Sequence, residues 1–213
     1  MKFLLLLNVA LSFQSHIRLQ RGSGVLLRSA EWWSDGVNFE CTECGKCCKV
    51  KGDVILNENE AVSVSQSLGI DIETFRDVYT TETSAENWVR LKSSEDGEKG
   101  CVFLDKSDGK TCLIYEHRPT QCRTYPWWPR LLESKESWDD HSVVSDEIQG
   151  SGLRRWNPVS GGCEGISCLA PKVERNVIYE NFEEFQAYMR RLPEDFSSKK
   201  SKGDEIYIRK VEK

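Results

Sequence analysis

The sequence predicts a small α+β domain in which short strands and short helices are organised around a cysteine-rich site, with a longer helix near the C-terminal end. Three observations support this prediction. Nine of the 213 residues are cysteines, and only 38% are hydrophobic, so something besides apolar burial helps to hold the fold. Helix-capping residues mark short helices. Turn residues separate short apolar runs that are typical of strands.

Two short helices are predicted to follow a strand at Asp53–Leu56. Asn57 can cap the first helix, with Glu60 completing a variant capping box, and Gly69 is suited to ending it. Asp71 can cap the second. The apolar residues of both helices recur on one face and predict core packing rather than a reactive site. They are Ala61, Val64 and Leu68 in the first helix and Ile72, Phe75 and Tyr79 in the second.

Strands are predicted at Trp88–Leu91, Cys101–Leu104 and Cys112–Tyr115. The last two flank Asp105–Thr111, in which Ser-Asp-Gly is a strong turn signal, so a β-hairpin is expected. Such a hairpin would bring the two cysteines that open its strands close together.

Two further helices are expected towards the C-terminus. Pro119 suits the first turn of a short helix that holds Gln121 and Cys122 and that Pro126 would end. Asn181 could cap the last helix. Its buried side is predicted to carry Phe182, Phe185, Met189 and Leu192.

Four regions are predicted along the chain. Residues 1–30 form a leader, 31–170 a cysteine-cluster domain, 171–196 a helical extension and 197–213 a charged, mobile tail. The leader begins with the apolar run Phe3–Leu7, which suits a signal-peptide core but is too short to span a bilayer. An acid-free stretch containing arginine and serine follows it, as in organelle transit peptides.

This order of signals resembles the bipartite leaders of secondary plastids, in which a residue such as Phe13 follows the cleavage site. Plastid localisation is therefore expected, with a secreted or mitochondrial protein as the alternative. Removing four basic residues and no acid would change the formal charge from −5 to −9. An acidic body without a basic stripe argues against nucleic-acid binding. No membrane span is expected in the mature chain.

The chemistry of the chain begins at Cys41-Thr-Glu-Cys44-Gly-Lys-Cys47-Cys48. Cysteines at this spacing can turn their sulfur atoms towards one centre, and both zinc and iron–sulfur clusters accept such ligands. Gly45 would provide the left-handed or crowded backbone position that a chain wrapping a metal needs. Lys46 and Lys49 can offset the negative charge of several thiolates.

Four more cysteines bring the total to eight, enough for two sites of four thiolates each: Cys101, Cys112, Cys122 and Cys163. Cys168 is the expected spare. Disulfide bonds are the alternative, because secreted proteins use dense cysteines in this way. The adjacent pair Cys47 and Cys48 is awkward for independent disulfides, so the spacing favours a metal.

Residues around the cysteines suggest supporting roles. Arg118 and Arg123 flank Cys122 and could bind an anionic substrate or the carboxylate of a cofactor. The alternative is that they neutralise the thiolates or bond to backbone carbonyls. His117 is expected at the surface or behind the ligands, and His141 has no evident partner. The aromatic residues are expected to shield the site from water and oxygen, and they are Tyr125, Trp127 and Trp128.

Five stretches of the chain, in this order, resemble the YkgJ-type cysteine-cluster family, a zinc- or iron-chelating domain family that includes flagellin lysine N-methylases. They are Phe39-Glu-Cys-Thr-Glu-Cys-Gly-Lys-Cys-Cys48, Gly100-Cys-Val-Phe-Leu-Asp105, Thr111-Cys-Leu-Ile-Tyr-Glu-His-Arg-Pro119, Gln121-Cys-Arg-Thr-Tyr-Pro126 and Cys163-Glu-Gly-Ile166. The resemblance implies metal chelation by Cys41, Cys44, Cys47, Cys48, Cys101, Cys112, Cys122 and Cys163. Glu164 stands where a proline is common in the family.

The sequence therefore predicts a protein that binds zinc or an iron–sulfur cluster, with a structural, metal-handling or electron-transfer role and an unidentified protein partner. A metal-dependent enzyme with redox or lysine-methylation chemistry is one alternative, and a secreted disulfide protein is the other. The chain has no phosphate-binding loop, dinucleotide-binding motif or nucleophile elbow. No pocket for adenosylmethionine can be recognised, so the analogy with the methylases is weak.

Overall fold

The computed structural model describes residues 31–50, 52–81, 83, 85–93, 100–144, 154–193 and 196. These residues form an α+β fold, which confirms the predicted class. The strands are β1 Val37–Asn38, β2 Ile55–Asn57, β3 Thr80–Thr81, β4 Trp88–Leu91 and β5 Lys172–Val173. The α-helices are α1 Glu58–Ser67, α2 Ile72–Tyr79, α3 Thr120–Arg123, α4 Pro129–Leu132, α5 Lys135–His141 and α6 Arg175–Arg191. Short 3₁₀ helices lie at Lys46–Lys49 and Tyr115–His117.

A three-stranded antiparallel sheet and helices α1 and α2 form one half of the fold. The strand order is β2-β4-β3, with Leu56 opposite Val89 and Thr80 opposite Leu91. Apolar side chains of the sheet and helices pack with Phe103 and Ile114 into a cluster called here the sheet core. Cys101 and Cys112 pack against this cluster.

The predicted caps of α1 and α2 are confirmed. The Asn57 side chain accepts a hydrogen bond from the Glu60 N–H, and the Glu60 carboxylate accepts one from the Asn57 N–H. Asp71 accepts from the Thr74 N–H. Gly69 follows α1 with φ +69°, a left-handed conformation that favours glycine at a helix end.

The second half of the fold is helical. Strands β1 and β5 pair antiparallel, with Val37 opposite Val173. Side chains from this half form a second apolar cluster, called here the tryptophan core, which Cys163 contacts. Its buried members are Trp33, Val37, Trp127, Leu131, Leu132, Trp138, Ile166 and Ile178.

Two predictions about local structure are wrong. The strands expected at Cys101–Leu104 and Cys112–Tyr115 do not form, and a single bridge between Leu104 and Cys112 remains of the hairpin. Each segment turns back immediately after its cysteine, since the Leu104 N–H bonds to the Cys101 carbonyl and the Tyr115 N–H to the Cys112 carbonyl. Regular strand pairing is lost because the backbone folds around the sulfur atoms.

The predicted start of the last helix, at Asn181, is also wrong. Helix α6 begins at Arg175, and Asn181 lies inside it, where its side chain donates to the Val177 carbonyl. Phe185 lies on the buried face as predicted, but the fully buried residues are Ile178 and Tyr188. Ile178 extends the buried face beyond the predicted range, whereas Tyr188 lies within that range and was not predicted.

Three side chains attach α3, which carries Cys122, to the sheet half. Gln121 accepts from the Ile55 N–H at 3.3 Å and donates to the Asp53 carbonyl at 2.9 Å. Tyr188 of α6 donates to the Ile55 carbonyl at 2.8 Å, and its hydroxyl also lies 3.5 Å from the Oε1 of Gln121 in α3. The Glu60 carboxylate accepts from the Thr120 N–H at 2.7 Å. These bonds fix the position of Cys122 relative to β2 and α1.

The predicted leader, residues 1–30, and the whole of the predicted tail, residues 197–213, lie outside the described residues, so plastid targeting stays a prediction. All the elements above belong to the unit Trp32–Lys213. None of the helices in the described part of the chain is both long and apolar enough to cross a membrane.

Replacing Glu60 with alanine should lower the free energy of unfolding by about 1–2 kcal/mol, because it removes the acceptor for two backbone N–H groups, those of Asn57 and Thr120. Urea unfolding followed by circular dichroism measures this. Asn59, which is exposed on the same helical turn, provides the control Asn59→Ala. Equal effects of the two substitutions would contradict the role given to Glu60.

The turn between Cys101 and Cys112 should stabilise the fold in a pH-dependent way. The hydroxyl and backbone N–H of Thr111 bond to the Asp108 carboxylate and lower its pKa from 3.8 to about 2. A lowered pKa in the folded state gives stability that is present above the unfolded value and lost as the pH falls towards the folded value.

The variant Asp108→Asn should therefore be less stable than the wild type at neutral pH. The difference should shrink as the pH falls from about 4 to about 2, because the wild-type carboxylate then becomes protonated. Thermal unfolding across this pH range provides the measurement. A difference that stays constant down to pH 2 would show that the charge of Asp108 does not contribute.

Candidate metal centre

The Cys41–Cys48 segment folds into a tight turn. The Cys48 N–H bonds to the Gly45 carbonyl at 3.0 Å, and Lys46–Lys49 forms one 3₁₀ turn. Gly45 has φ +69°, and a Cβ atom there would lie 2.7 Å from the Lys110 Cα. The predicted need for glycine at this position is confirmed, since the backbone is both left-handed and crowded.

Backbone contacts bring the later cysteines to this turn. The Cys101 N–H donates to the Cys48 carbonyl at 2.7 Å. The bridge between Leu104 and Cys112 then carries Cys112 to the same place. Because Gly45 packs on Lys110 of the intervening turn, the first and second cysteine stretches lie against each other.

Five thiols interact with one another and are called here the inner thiol group. The Cys48 thiol is hydrogen-bonded to those of Cys47 and Cys112. Charge on Cys101, Cys47 or Cys112 would act directly on Cys122. The members of the group are Cys47, Cys48, Cys101, Cys112 and Cys122.

The inner thiol group shares its protons unevenly. The hydrogen bonds to Cys112 and Cys47 raise the pKa of Cys48 strongly. The same bonds lower the pKa of Cys47 to about 7 and that of Cys112 to about 6. Burial raises the pKa of Cys101 to about 11, and that of Cys122 well above its ordinary value. Cys47 and Cys112, whose pKa values are lowered, can therefore bind a cation more easily than Cys101 and Cys122, which must first lose a proton.

Backbone N–H groups point at three of the sulfur atoms. The Phe103 N–H donates to Cys101 and the Ile114 N–H donates to Cys112, in each case from two residues further along the chain. The N–H groups of Gly165 and Ile166 donate to Cys163. Such donors favour the charged thiolate over the thiol, and they support metal-bound thiolates from behind.

Cys44 and Cys163 form a second set, called here the outer thiol pair. Burial raises the pKa of Cys163 to about 12, and charge on Cys44 or Cys47 would raise it further. Cys47 therefore neighbours both sets. The Cys163 N–H donates to the His141 carbonyl at 2.8 Å, which holds Cys163 to the end of α5.

Tyr125 and His141 lie beside the outer thiol pair. The Tyr125 hydroxyl is 2.5 Å from the His141 Nε2, and the phenol is hydrogen-bonded to Cys163. Burial raises the pKa of Tyr125 well above its ordinary value, and burial with the charges of Arg154 and Arg130 lowers the pKa of His141 to about 4. No partner for His141 could be predicted, because α5 was not predicted and no local pattern indicates that this helix returns to Tyr125.

Tyr125 lies beside the outer thiol pair, where its phenol is hydrogen-bonded to Cys163, and shielding of the cysteines by aromatic residues stays a prediction. Trp127 lies in the tryptophan core, stacked on Trp138 at 5.4 Å. Trp128 stacks on Phe185 of α6 at 5.0 Å. The two tryptophans thus support the fold behind Tyr125.

Cys41 and the predicted cofactor-binding arginines have distinct surroundings. Cys41 is exposed, and its thiol is hydrogen-bonded to the Tyr115 phenol. The guanidinium of Arg118 lies 3.8 Å from the centre of the Tyr115 ring, and its charge lowers the pKa values of Cys47 and Cys112. Arg123 instead bonds to Glu184 of α6.

Three further residues named from the sequence are not members of either thiol set. His117 bonds through Nδ1 to the Ser63 hydroxyl at the surface. Cys168 is exposed. Lys46, expected to offset thiolate charge, forms a largely buried ion pair with Glu164, with Nζ and Oε1 2.5 Å apart.

The donor set suits a thiophilic metal, because sulfur atoms from five stretches of the chain are gathered here with N–H donors behind three of them. All nine cysteines are free thiols. Over the described ranges, no group of three or more His, Cys, Asp or Glu side chains is already arranged to hold a metal ion. Ion binding would therefore have to replace the protons that the thiols share and draw the sulfur atoms together.

Comparison with known families adds an independent finding. A family model described as "CxxCxxCC: Putative zinc- or iron-chelating domain" matches residues 40–145. This range includes seven cysteines, whereas Cys163 and Cys168 lie beyond it. No solved structure matches the chain. On the strength of its cysteine motifs and their order, the chain belongs to the CxxCxxCC family.

Proposed function

We propose that this protein is a metal-binding module whose cysteine thiolates hold zinc or an iron–sulfur cluster. The observation that carries the proposal is that seven cysteines from distant parts of the chain lie in the two neighbouring thiol sets, with backbone N–H donors to three of their sulfur atoms. Membership of a family described as zinc- or iron-chelating supports the same conclusion.

The two thiol sets suggest how eight ligands divide into two sites of four. One site would use Cys48 with the three later members of the inner thiol group, namely Cys101, Cys112 and Cys122. The other would use the outer thiol pair with Cys41 and Cys47. Cys47 is assigned to the second site to complete four ligands there, since its charge acts on Cys163 as well as on the inner thiols.

The protein's own groups would stabilise the bound ions. Four thiolates around one zinc ion leave a net charge of −2, and Arg118 lies close enough to the inner thiol group to offset part of it. Zinc would supply a closed structural or chelating centre, whereas an iron–sulfur cluster would supply electron transfer. In both cases the ions would join the two halves of the fold and contribute to its stability.

The full chain purified without oxygen tests the proposal. Its visible absorption and its contents of iron, sulfide and zinc are measured. Brown protein with matching iron and sulfide indicates an iron–sulfur cluster, whereas colourless protein with one or two zinc ions indicates a closed zinc site. Absence of bound metal, combined with thiols that do not react with thiol reagents, would contradict the proposal and favour the disulfide alternative.

Cys112→Ser should lower the metal content and weaken the remaining binding by about tenfold or more, because it removes both a ligand and the acceptor for the Cys48 proton. Cys168→Ser is the matched control and should leave both quantities unchanged, because Cys168 is exposed and is not one of the eight proposed ligands. Metal analysis and competition with a chelator measure both. Equal losses in the two variants would contradict the assignment.

A further inference from the structure

The ion pair between Lys46 and Glu164 joins the two most distant cysteine stretches. Lys46 directly precedes Cys47, and Glu164 directly follows Cys163. Their charged atoms are 2.5 Å apart, and their side chains are only 10% and 15% exposed. Exposed ion pairs contribute little to a structure, but a buried charge that loses its partner is strongly unfavourable.

The pair lies where the Cys163 loop meets the segment before Cys41. The Glu40 N–H donates to the Gly165 carbonyl at 3.1 Å. A Cβ atom on Gly165 would lie 2.1 Å from the Glu40 carbonyl oxygen, so the two backbones touch. Uncharged contacts fix the approach of the loop, and the ion pair adds a specific connection to the turn that carries Cys47.

We infer that Lys46 and Glu164 are positioning residues that hold Cys163 against the Cys44–Cys48 turn so that its thiolate completes the outer site. This inference rests on the proposed function. If Lys46 loses its charge, the buried Glu164 carboxylate must move towards water. Because Glu164 is the next residue after Cys163, that movement withdraws the Cys163 sulfur from the metal.

The proposed role requires a carboxylate at position 164. A residue without charge at this position would leave the Lys46 ammonium without its carboxylate partner, in the middle of the cysteine turn. Lys49 belongs to the same 3₁₀ turn as Lys46 but is not paired with Glu164. Substitution of Lys49 therefore separates the effect of the ion pair from the general effect of positive charge near thiolates.

The test uses the full chain loaded with zinc alone and treated with iodoacetamide, with alkylation of each cysteine followed by mass spectrometry. Lys46→Met and Glu164→Gln should each increase the alkylation rate of Cys163 by about ten- to a hundredfold, the range expected when support behind a metal ligand is lost. The other seven ligand cysteines should stay protected. Lys46→Arg, which keeps the charge, and Lys49→Met should both behave as the wild type.

Three results would overturn the inference while leaving the proposed function intact. Cys163 could stay protected in both Lys46→Met and Glu164→Gln. All eight cysteines could become reactive together, which would make the pair a general fold contact. Lys49→Met could expose Cys163 equally, which would make the effect one of net charge. A wild-type chain in which zinc protects no cysteine would instead contradict the proposed function and the inference with it.

Discussion

Two modest hydrophobic clusters share one feature: the cysteine-bearing segments pack against both of them. Cys101 and Cys112 contact the sheet core, and Cys163 contacts the tryptophan core. Small cores of this kind supply limited stability, so small domains often rely on crosslinks or metal ions. In this chain the crosslinks would be metal–sulfur bonds between the two halves, and metal binding would then be coupled to folding.

Hydrogen bonds between the thiols, and charge stabilisation by neighbouring groups, allow the cysteines to lie close together before an ion binds. The Cys48 thiol is hydrogen-bonded to those of Cys47 and Cys112, and these bonds raise its pKa strongly. N–H groups and Arg118 stabilise part of the charge that remains. Burial without a cation keeps Cys101 and Cys163 protonated at neutral pH. A metal ion would replace these protons, so its binding should strengthen as the pH rises.

Local chemistry made much of the fold and site predictable. The caps at Asn57 and Asp71 depend on side chains three residues from their N–H partners, and the need for Gly45 follows from the tight cysteine turn. Contacts between distant residues could not be predicted in this way. His141 meets Tyr125 from a different helix, and Lys46 meets Glu164 across 118 positions. The hairpin failed because each segment curls around its own sulfur, a preference that outweighs the turn signal between Cys101 and Cys112.

X-ray absorption at the metal edge of the purified full chain tests the central claim most directly, because it counts the atoms bound to the metal. The account predicts four sulfur neighbours for each metal ion, at about 2.3 Å if the metal is zinc. Cys112→Ser should reduce this number, and Cys168→Ser should not. A first shell made only of nitrogen and oxygen atoms would show that the cysteines do not hold the metal and would contradict the account.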